Sequence, residues 1–93
     1  MVQWDSVEQL EQYQLHQRND LPKLGTDSKL LAQFATLHRR EKVFDLGCGV
    51  GVLEVLLAQR QGDLTLDGID IVPDSAELAA YNLTANGLTG TIR

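Results

Sequence analysis

The sequence predicts an α/β fold in which helices connect parallel β-strands. Two apolar runs of strand length, Val43–Leu46 and Thr65–Ile71, each lead into a helical pattern. Glycines at alternate positions separate the first run from its helix, which gives the order strand, tight turn, helix. Connections of this length join parallel strands through right-handed crossovers. A third strand is expected to begin at Gly90–Arg93, where the sequence stops.

The N-terminal quarter gives weaker signals. We expect residues 1–24 to form an N-terminal extension and residues 25–93 to form one partial domain. A weak helix is expected from about Ser6, with that serine as its N-cap. The segment Tyr13–Gln17 alternates apolar and polar residues, so a helix and a short strand both remain open. Asn, Asp, Pro and Gly make the stretch up to Gly25 a loop.

The first helix of the domain is expected to run to about His38. The polar segment Thr26–Ser28 offers side chains that cap helix N-termini, and apolar residues then recur at helical spacing. The cationic segment His38–Arg40 would lie at the C-terminal end, where the helix dipole favours positive charge.

Two further helices follow the predicted strands. The segment Val52–Arg60 is apolar on most of its circumference, as expected of a helix packed against a sheet. Pro73 favours a helix start, and Asp74 and Glu77 are spaced as a candidate capping pair. Asn86-Gly87 is typical of a helix C-terminus.

Composition narrows the class of protein. The 93 residues, 43% hydrophobic and 23% charged, suit one small globular domain, and the net charge of −5 gives no basic footprint for nucleic acid. The single cysteine cannot form an internal disulfide, which indicates a cytoplasmic location. No signal peptide or bilayer-spanning stretch is evident. His16 and His38 are isolated from other ligand-type residues, so we expect no metal.

The glycine turn is the strongest candidate for a binding site. Gly47, Gly49 and Gly51 let a ligand lie against bare backbone at the start of a helix. A dinucleotide fingerprint would need a third glycine where Val52 stands, and no phosphate-loop Gly-Lys-Ser or Gly-Lys-Thr occurs. Asp70 follows the turn by about 20 residues, where doubly wound folds place the carboxylate that accepts ribose hydroxyls.

The paired segments Asp45–Gly51 and Gly68–Asp70 resemble the S-adenosylmethionine (SAM) site of class I methyltransferases. The resemblance implies SAM as cofactor and a Rossmann-like parallel sheet, here truncated at the start of the third strand. It also implies that Asp45 orders the turn and the methionine end of SAM. Asp70 would bind the ribose, and Ile71 would pack against the adenine.

The segment Leu24–Ala35 is similar to the Gly-Thr-Asp-x-x-Leu-Leu-Ala segment of bacterial tRNA adenine methyltransferases. This likeness implies that Thr26 and Asp27 reach the methionine moiety, with helix capping as their other use. It also implies tRNA as partner and methyl transfer to an amino group of adenine.

Amino methyltransferases of this type carry Asn-Pro-Pro-aromatic or Asp-Pro-Pro-aromatic beyond their fourth strand, whereas the only prolines here are Pro22 and Pro73. No catalytic residue can therefore be named. We expect the chain to be the N-terminal part of a longer domain and not to turn over alone. One alternative is a non-catalytic SAM-binding module that another chain completes. The other is a fragment of a nicotinamide-dependent dehydrogenase, which Val52 disfavours.

Overall fold

The structure is a computed structural model that describes residues 2–93. Within these residues the chain forms a short β-hairpin followed by alternating helices and strands. The elements in order are β1 (Ser6–Leu10), β2 (Tyr13–Gln17), α1 (Thr26–Phe34), β3 (Lys42–Leu46), α2 (Val52–Arg60), β4 (Thr65–Ile69) and α3 (Pro73–Ala85). Strands β1 and β2 pair antiparallel, and β3 and β4 pair parallel. No helix in this part of the chain is long and apolar enough to cross a bilayer.

The parallel sheet confirms the predicted α/β architecture. Asp45 on β3 lies opposite Gly68 on β4. On the other side of β4, the backbone N–H of Leu66 donates to the carbonyl of Thr89 at 2.8 Å. The N–H of Gly68 likewise donates to Thr91 at 3.0 Å. A third parallel strand therefore starts beside β4 near the predicted position.

One face of this sheet carries the hydrophobic core. Helix α2 is buried over most of its circumference, and each fully buried aliphatic side chain contributes roughly 1.5–3 kcal/mol. The buried core comprises Leu15, Ala32, Val50, Val52, Val55, Leu56, Leu57, Ala58, Leu64, Leu66, Leu78 and Leu83. Side chains of β3 that point away from the core stay open to solvent, with Phe44 56% and Leu46 79% exposed.

The helix expected from Ser6 is wrong, because this segment is strand β1 of the hairpin. The strand interpretation of Tyr13–Gln17 is confirmed, and its partner β1 covers it on one side. The turn uses Glu11 at a φ of 55° and lacks the Asn-Gly signal of tight hairpins. Instead the Gln9 amide donates to the Glu11 carbonyl at 2.6 Å. The sequence therefore lacks a pattern that would predict this turn.

The division at residue 24 stays a prediction, although the hairpin packs directly on the rest of the chain. Leu15 on β2 is fully buried in the core. The backbone N–H of Gln14 donates to Asn86 Oδ1 at 2.7 Å, and the Asn86 amide donates back to the Gln14 carbonyl at 2.7 Å. The N-terminal segment thus shares the core of the α/β unit.

Helix α1 ends at Phe34, before the predicted His38. Its N-cap is Gly25 with no side-chain hydrogen bond, so the capping predicted for Thr26–Ser28 is wrong. The chain turns extended at Ala35, and Arg60 of α2 donates to the carbonyls of Ala32 and Ala35 at 2.6 Å each. The cation at this helix end therefore comes from α2, because the predicted cationic segment lies beyond the helix.

The start of α3 also differs from expectation. Strand β4 ends at Ile69 instead of Ile71, because Asp70 accepts the N–H of Val72 and turns the chain. Val72 is the N-cap of α3 and no side-chain cap forms, so the predicted Asp74–Glu77 pair is wrong. Pro73 does open the helix as predicted.

The C-terminal end of α3 agrees with the predicted Asn86-Gly87 signature. Asn86 is the C-cap, and Gly87 adopts a φ of 66°. The N–H of Leu88 donates to Leu83 at 2.9 Å, and that of Gly87 donates to Thr84 at 3.1 Å. These two bonds satisfy the last carbonyls of the helix in a Schellman arrangement.

Candidate functional site

The glycine turn between β3 and α2 lies at the carboxyl end of β4. The N–H groups of Gly47 and Cys48 both donate to the carbonyl of Ile69, at 2.8 and 3.0 Å. Gly47 and Gly49 have positive φ, and a Cβ placed on either would meet nothing within 4 Å. Bare backbone therefore faces open space here, which is what a bound ligand requires.

Gly51 has a different surrounding from the other two glycines. It is the N-cap of α2 at a φ of 89° and is buried. An added Cβ would lie 3.4 Å from the Cα of Ala79 on α3. The structure therefore uses this glycine to pack α2 against α3 and does not bring it to either cavity described next. Its cofactor-binding role stays a prediction.

Two cavities meet at the glycine turn. The first, of about 250 Å³, lies between the turn and the start of α1, and its polar or charged side chains are Lys23, Ser28, Asp45 and Cys48. The second, of about 360 Å³, lies at the ends of β3 and β4 and is lined by Leu46, Gly47, Ile69, Asp70 and Ile71. Gly47 lines both. The turn thus separates a charged cavity from a mostly apolar one.

Most of the predicted binding residues reach these cavities, but Thr26 and Asp27, like Gly51, do not. Asp45 lines the first cavity, and Asp70 and Ile71 line the second. Thr26 and Asp27 are exposed and line neither. The face of α1 that meets the first cavity carries Ser28 and Leu31, which are three residues apart and so share one side of the helix. Binding by Thr26 and Asp27 stays a prediction that this geometry does not support.

Asp70 joins the two halves of the site. Its Oδ2 accepts the N–H of Gly49 at 2.9 Å, and its Oδ1 accepts the N–H of Val72 at 2.9 Å. One carboxylate therefore holds both the glycine turn and the approach to α3. Each carboxylate oxygen has two acceptor sites, so both retain capacity for a ligand hydroxyl. The ribose-binding role of Asp70 stays a prediction.

Gly68 is a site residue that the sequence analysis did not single out. A Cβ on Gly68 would lie 2.9 Å from the Cβ of Cys48 and 3.2 Å from its Sγ. Because Gly68 has no side chain, the glycine turn can pack directly against β4. The glycine of the Gly-Ile-Asp segment was the sequence signal from which the role of Gly68 could have been predicted.

Cys48 is a neutral thiol at physiological pH. Burial raises the pKa of the Cys48 thiol to about 12, and the nearby acids Glu54, Asp45 and Asp70, which are ionised at such high pH, add to this effect. A thiol in this state is a poor nucleophile. Within residues 2–93, no group of three or more His, Cys, Asp or Glu side chains is arranged to hold a metal ion.

Comparison with known proteins identifies the family. The sequence pattern of the methyltransferase small domain matches residues 22–93. The chain belongs to this methyltransferase family. The match begins in the loop before α1 and covers both cavities, so the site described above lies within the family's own domain. Family membership sets the dehydrogenase alternative aside.

Two curated relatives of this methyltransferase domain modify RNA. The chain is 40% identical over 65 residues to the tRNA1(Val) (adenine(37)-N6)-methyltransferase of Cronobacter sakazakii. These 65 residues cover 69% of the chain and 26% of that protein. It is 38% identical over 69 residues to the ribosomal RNA small subunit methyltransferase C of an Enterobacter species, covering 74% of the chain and 20% of that protein. The chain spans about a quarter or less of the length of these relatives.

A solved structure confirms the methyltransferase fold. The tRNA (uracil-54, C5)-methyltransferase of Pyrococcus abyssi, solved in complex with S-adenosyl-L-homocysteine, superposes with a TM-score of 0.71 at 16% identity. The superposition covers 95% of the chain and 23% of that protein. At this identity the likeness shows the fold alone.

The cofactor that this family membership implies is S-adenosyl-L-methionine, and the described residues fit it. The cradle at Gly47 and Gly49 has room that a side chain would fill. Asp70 follows β4 at the position where this kind of sheet binds ribose hydroxyls. The two cavities that flank Gly47 offer separate places for the amino-acid part and the nucleoside part.

Proposed function

We propose that the chain is the SAM-binding portion of an RNA methyltransferase, which in the complete protein transfers a methyl group to an amino group of tRNA adenine. One observation carries the SAM assignment: two cavities share Gly47, with Asp45 in one and Asp70 in the other. SAM is an elongated molecule with a zwitterionic amino acid at one end and a nucleoside at the other. Two adjacent cavities of different polarity suit such a molecule.

The first cavity suits the amino-acid end of SAM. Lys23 and Asp45 both line it and carry opposite charges. A carboxylate and an ammonium group could each find an opposite charge there, and charge-assisted hydrogen bonds are stronger than neutral ones. Lys23 therefore takes over, in our proposal, the place first expected for Thr26 and Asp27.

The second cavity suits the nucleoside end. Asp70 offers carboxylate oxygens to the ribose hydroxyls, and Ile71 offers an apolar surface to the adenine because it is 95% exposed beside the cavity. The bound cofactor would supply the activated methyl group. The residues described here bind and orient that cofactor, which contributes to rate by positioning.

The acceptor assignment is supported by the relatives. One modifies tRNA adenine and another modifies ribosomal RNA, so both favour an RNA acceptor. We choose tRNA adenine because of the Gly-Thr-Asp-x-x-Leu-Leu-Ala segment and the identity to the Cronobacter enzyme. We also propose a cytoplasmic location, where the substrates of such enzymes occur.

Calorimetric titration of the purified chain tests the cofactor assignment. We expect S-adenosylhomocysteine to bind and NAD not to bind. Binding of neither would contradict the proposed function. For the acceptor, the coding DNA beyond Arg93 would be sequenced, and the complete product would be assayed with radiolabelled SAM on tRNA and on ribosomal RNA. Labelling of ribosomal RNA alone would contradict the tRNA assignment.

A second candidate is a SAM-binding module that another chain completes. The observation that favours it is that, within the described residues, β3 pairs with β4 alone, so its other edge is unpaired beside the exposed Phe44 and Leu46. Unpaired strand edges with apolar neighbours promote association. Sedimentation of the purified chain would detect a stable complex, and Leu46→Lys would abolish it. A monomer at all concentrations would exclude self-completion.

A further inference from the structure

Glu54 is a buried acid that the proposed cofactor site does not yet use. It lies in the first turn of α2 with 1% of its surface exposed, among the apolar side chains of that helix. Within the described residues, its Oε1 atom is buried and has no hydrogen-bond partner. An ionised carboxylate in this position would lack compensation for its lost hydration. The surroundings therefore favour the protonated acid.

The carboxyl group of Asp45 is the acceptor for a hydrogen bond from the protonated Glu54. Val52 and Leu53, the two residues before Glu54, line the same cavity as Asp45, and a side-chain hydrogen bond with Asp45 is one of the causes that raise the pKa of Glu54. Two carboxyl groups can form such a bond only if one of them carries a proton. Burial first, and then the bond and charge of Asp45, raise the pKa of Glu54 to about 9. The buried member of the pair is thus the donor, and the cavity-lining member is the acceptor.

The other charged groups nearby do not replace this bond. Cys48 from the glycine turn is a neutral thiol, and Asp70 beyond β4 adds negative charge. Lys23 lines the cavity with Asp45. Lys29 of α1 lines a separate groove beside Arg60, at the opposite end of α2.

Strand β2 and helix α3 also pack against α2. On β2, His16 is hydrogen-bonded to Asn82. On α3, Tyr81 stacks with Trp4 at a ring separation of 5.0 Å. Within residues 2–93 the salt bridges join Arg18 to Asp20 and Asp74, so none of them reaches Glu54.

We propose that Glu54 is a positioning residue: its protonated carboxyl donates a hydrogen bond to Asp45 and holds that carboxylate at the cavity beside the glycine turn. This inference rests on the proposed function. The charge of Asp45 is then available to the ammonium group of the cofactor without a second ionised acid beside it. Loss of the proton from Glu54 would place two negative charges together and displace Asp45.

The test compares three variants by calorimetric titration with S-adenosylhomocysteine. Glu54→Gln keeps a donor of the same shape, and we expect affinity within about twofold of the parent at pH 7. Glu54→Met keeps the volume and removes the donor, and we expect about tenfold weaker binding. Leu57→Met, a volume-conserving change in the same helix, is the control and should bind as the parent does.

A pH series separates positioning from a purely structural role. We expect the affinity of the parent to fall between pH 8 and 10 by more than that of Glu54→Gln, since only the parent has the Glu54 proton to lose. Titration of the ligand's own amino group affects both proteins equally and cancels in the comparison. If Glu54→Met fails to fold, this comparison alone decides the proposal.

The outcomes distinguish the two proposals. If the parent binds S-adenosylhomocysteine and the variants match it at every pH, the role of Glu54 is refuted and the proposed function stands. If Glu54→Gln binds as weakly as Glu54→Met, donation to Asp45 is also refuted. If the parent does not bind at all, both proposals fail together.

Discussion

Asn82 on α3 accepts the backbone N–H of His16 on β2 at 2.8 Å and donates to the carbonyl of the same residue at 3.0 Å. The Nδ1 atom of the His16 ring lies 2.9 Å from Asn82 Oδ1. The Asn82 amide also donates to the carbonyl of Val50 in the glycine turn at 2.7 Å. One buried amide therefore joins the hairpin, the glycine turn and α3.

Asn82→Ala should lower the free energy of unfolding by about 2–4 kcal/mol, because it leaves buried backbone groups of His16 and Val50 without partners. Urea denaturation followed by circular dichroism measures this loss. Thr84→Ala, an exposed change on the same helix, is the control and should stay within about 0.5 kcal/mol of the parent. A loss below about 1 kcal/mol for Asn82→Ala would show that the hairpin is held by other contacts.

Gly68→Ala should destabilise the chain by about 1–3 kcal/mol, because the new Cβ would lie 2.9 Å from the Cβ of Cys48. Adding Cys48→Gly should recover part of the loss by removing the opposing atom. The matched control is Gly62→Ala, whose nearest contact would be an ordinary 3.7 Å to the Tyr13 hydroxyl. Thermal unfolding compares the variants, and equal midpoints for the two alanine variants would contradict the clash.

Asp70→Ala should weaken binding of S-adenosylhomocysteine by about 1.5–3 kcal/mol, the contribution of hydrogen bonds to a charged acceptor. Asp67→Ala is the matched control, since Asp67 also accepts a backbone N–H, that of Thr91 at 2.8 Å, but lines neither cavity. Calorimetry should show near-parent affinity for the control. Equal affinities for parent and Asp70→Ala would remove the ribose assignment.

The stability of the chain should fall as the pH rises from about 5 to 9. The pKa of Glu54 is about 9 in the folded chain against an ordinary 4.5, so the unfolded chain binds fewer protons in this interval. The stabilisation is complete below the ordinary pKa and is lost as the pH approaches the folded one. The slope is at most about 1.4 kcal/mol per pH unit.

Urea denaturation at several pH values measures this slope, and Glu54→Gln should flatten it. The variant should also be more stable than the parent at pH 8 by at least about 1 kcal/mol, because it has no acid to ionise. A parent whose stability is constant over this interval would contradict a protonated Glu54.

The order of strands and helices from Val43 onward was predictable, because glycine turns and apolar runs are local signals. The residues at which these elements end were less predictable. Helix α1 stops at Phe34 because Arg60, distant in sequence, supplies the hydrogen bonds for its last carbonyls. The hairpin was missed because Glu11 forms its turn without the usual turn residues.

The residues of the candidate site were likewise predictable only in part. The placements of Asp45, Asp70 and Ile71 followed from their positions at strand ends, where parallel strands expose their carboxyl termini. Thr26 and Asp27 line neither cavity, and their binding role stays a prediction, because the face that α1 turns to the cavity depends on the packing of that helix. Glu54 looked like an ordinary helix residue until its burial beside Asp45 was visible.

The sequence by itself determined the parallel α/β order, the glycine turn and the acidic residue after the second strand of the sheet. These features depend on neighbouring residues, whose conformational preferences act locally. Only the tertiary structure decided that Gly51 packs α2 against α3 and that Gly68 leaves room for Cys48. It also decided that Glu54 interacts with Asp45. Those roles arise from atoms brought together across distant parts of the chain, and close packing and desolvation exist only once the chain has folded.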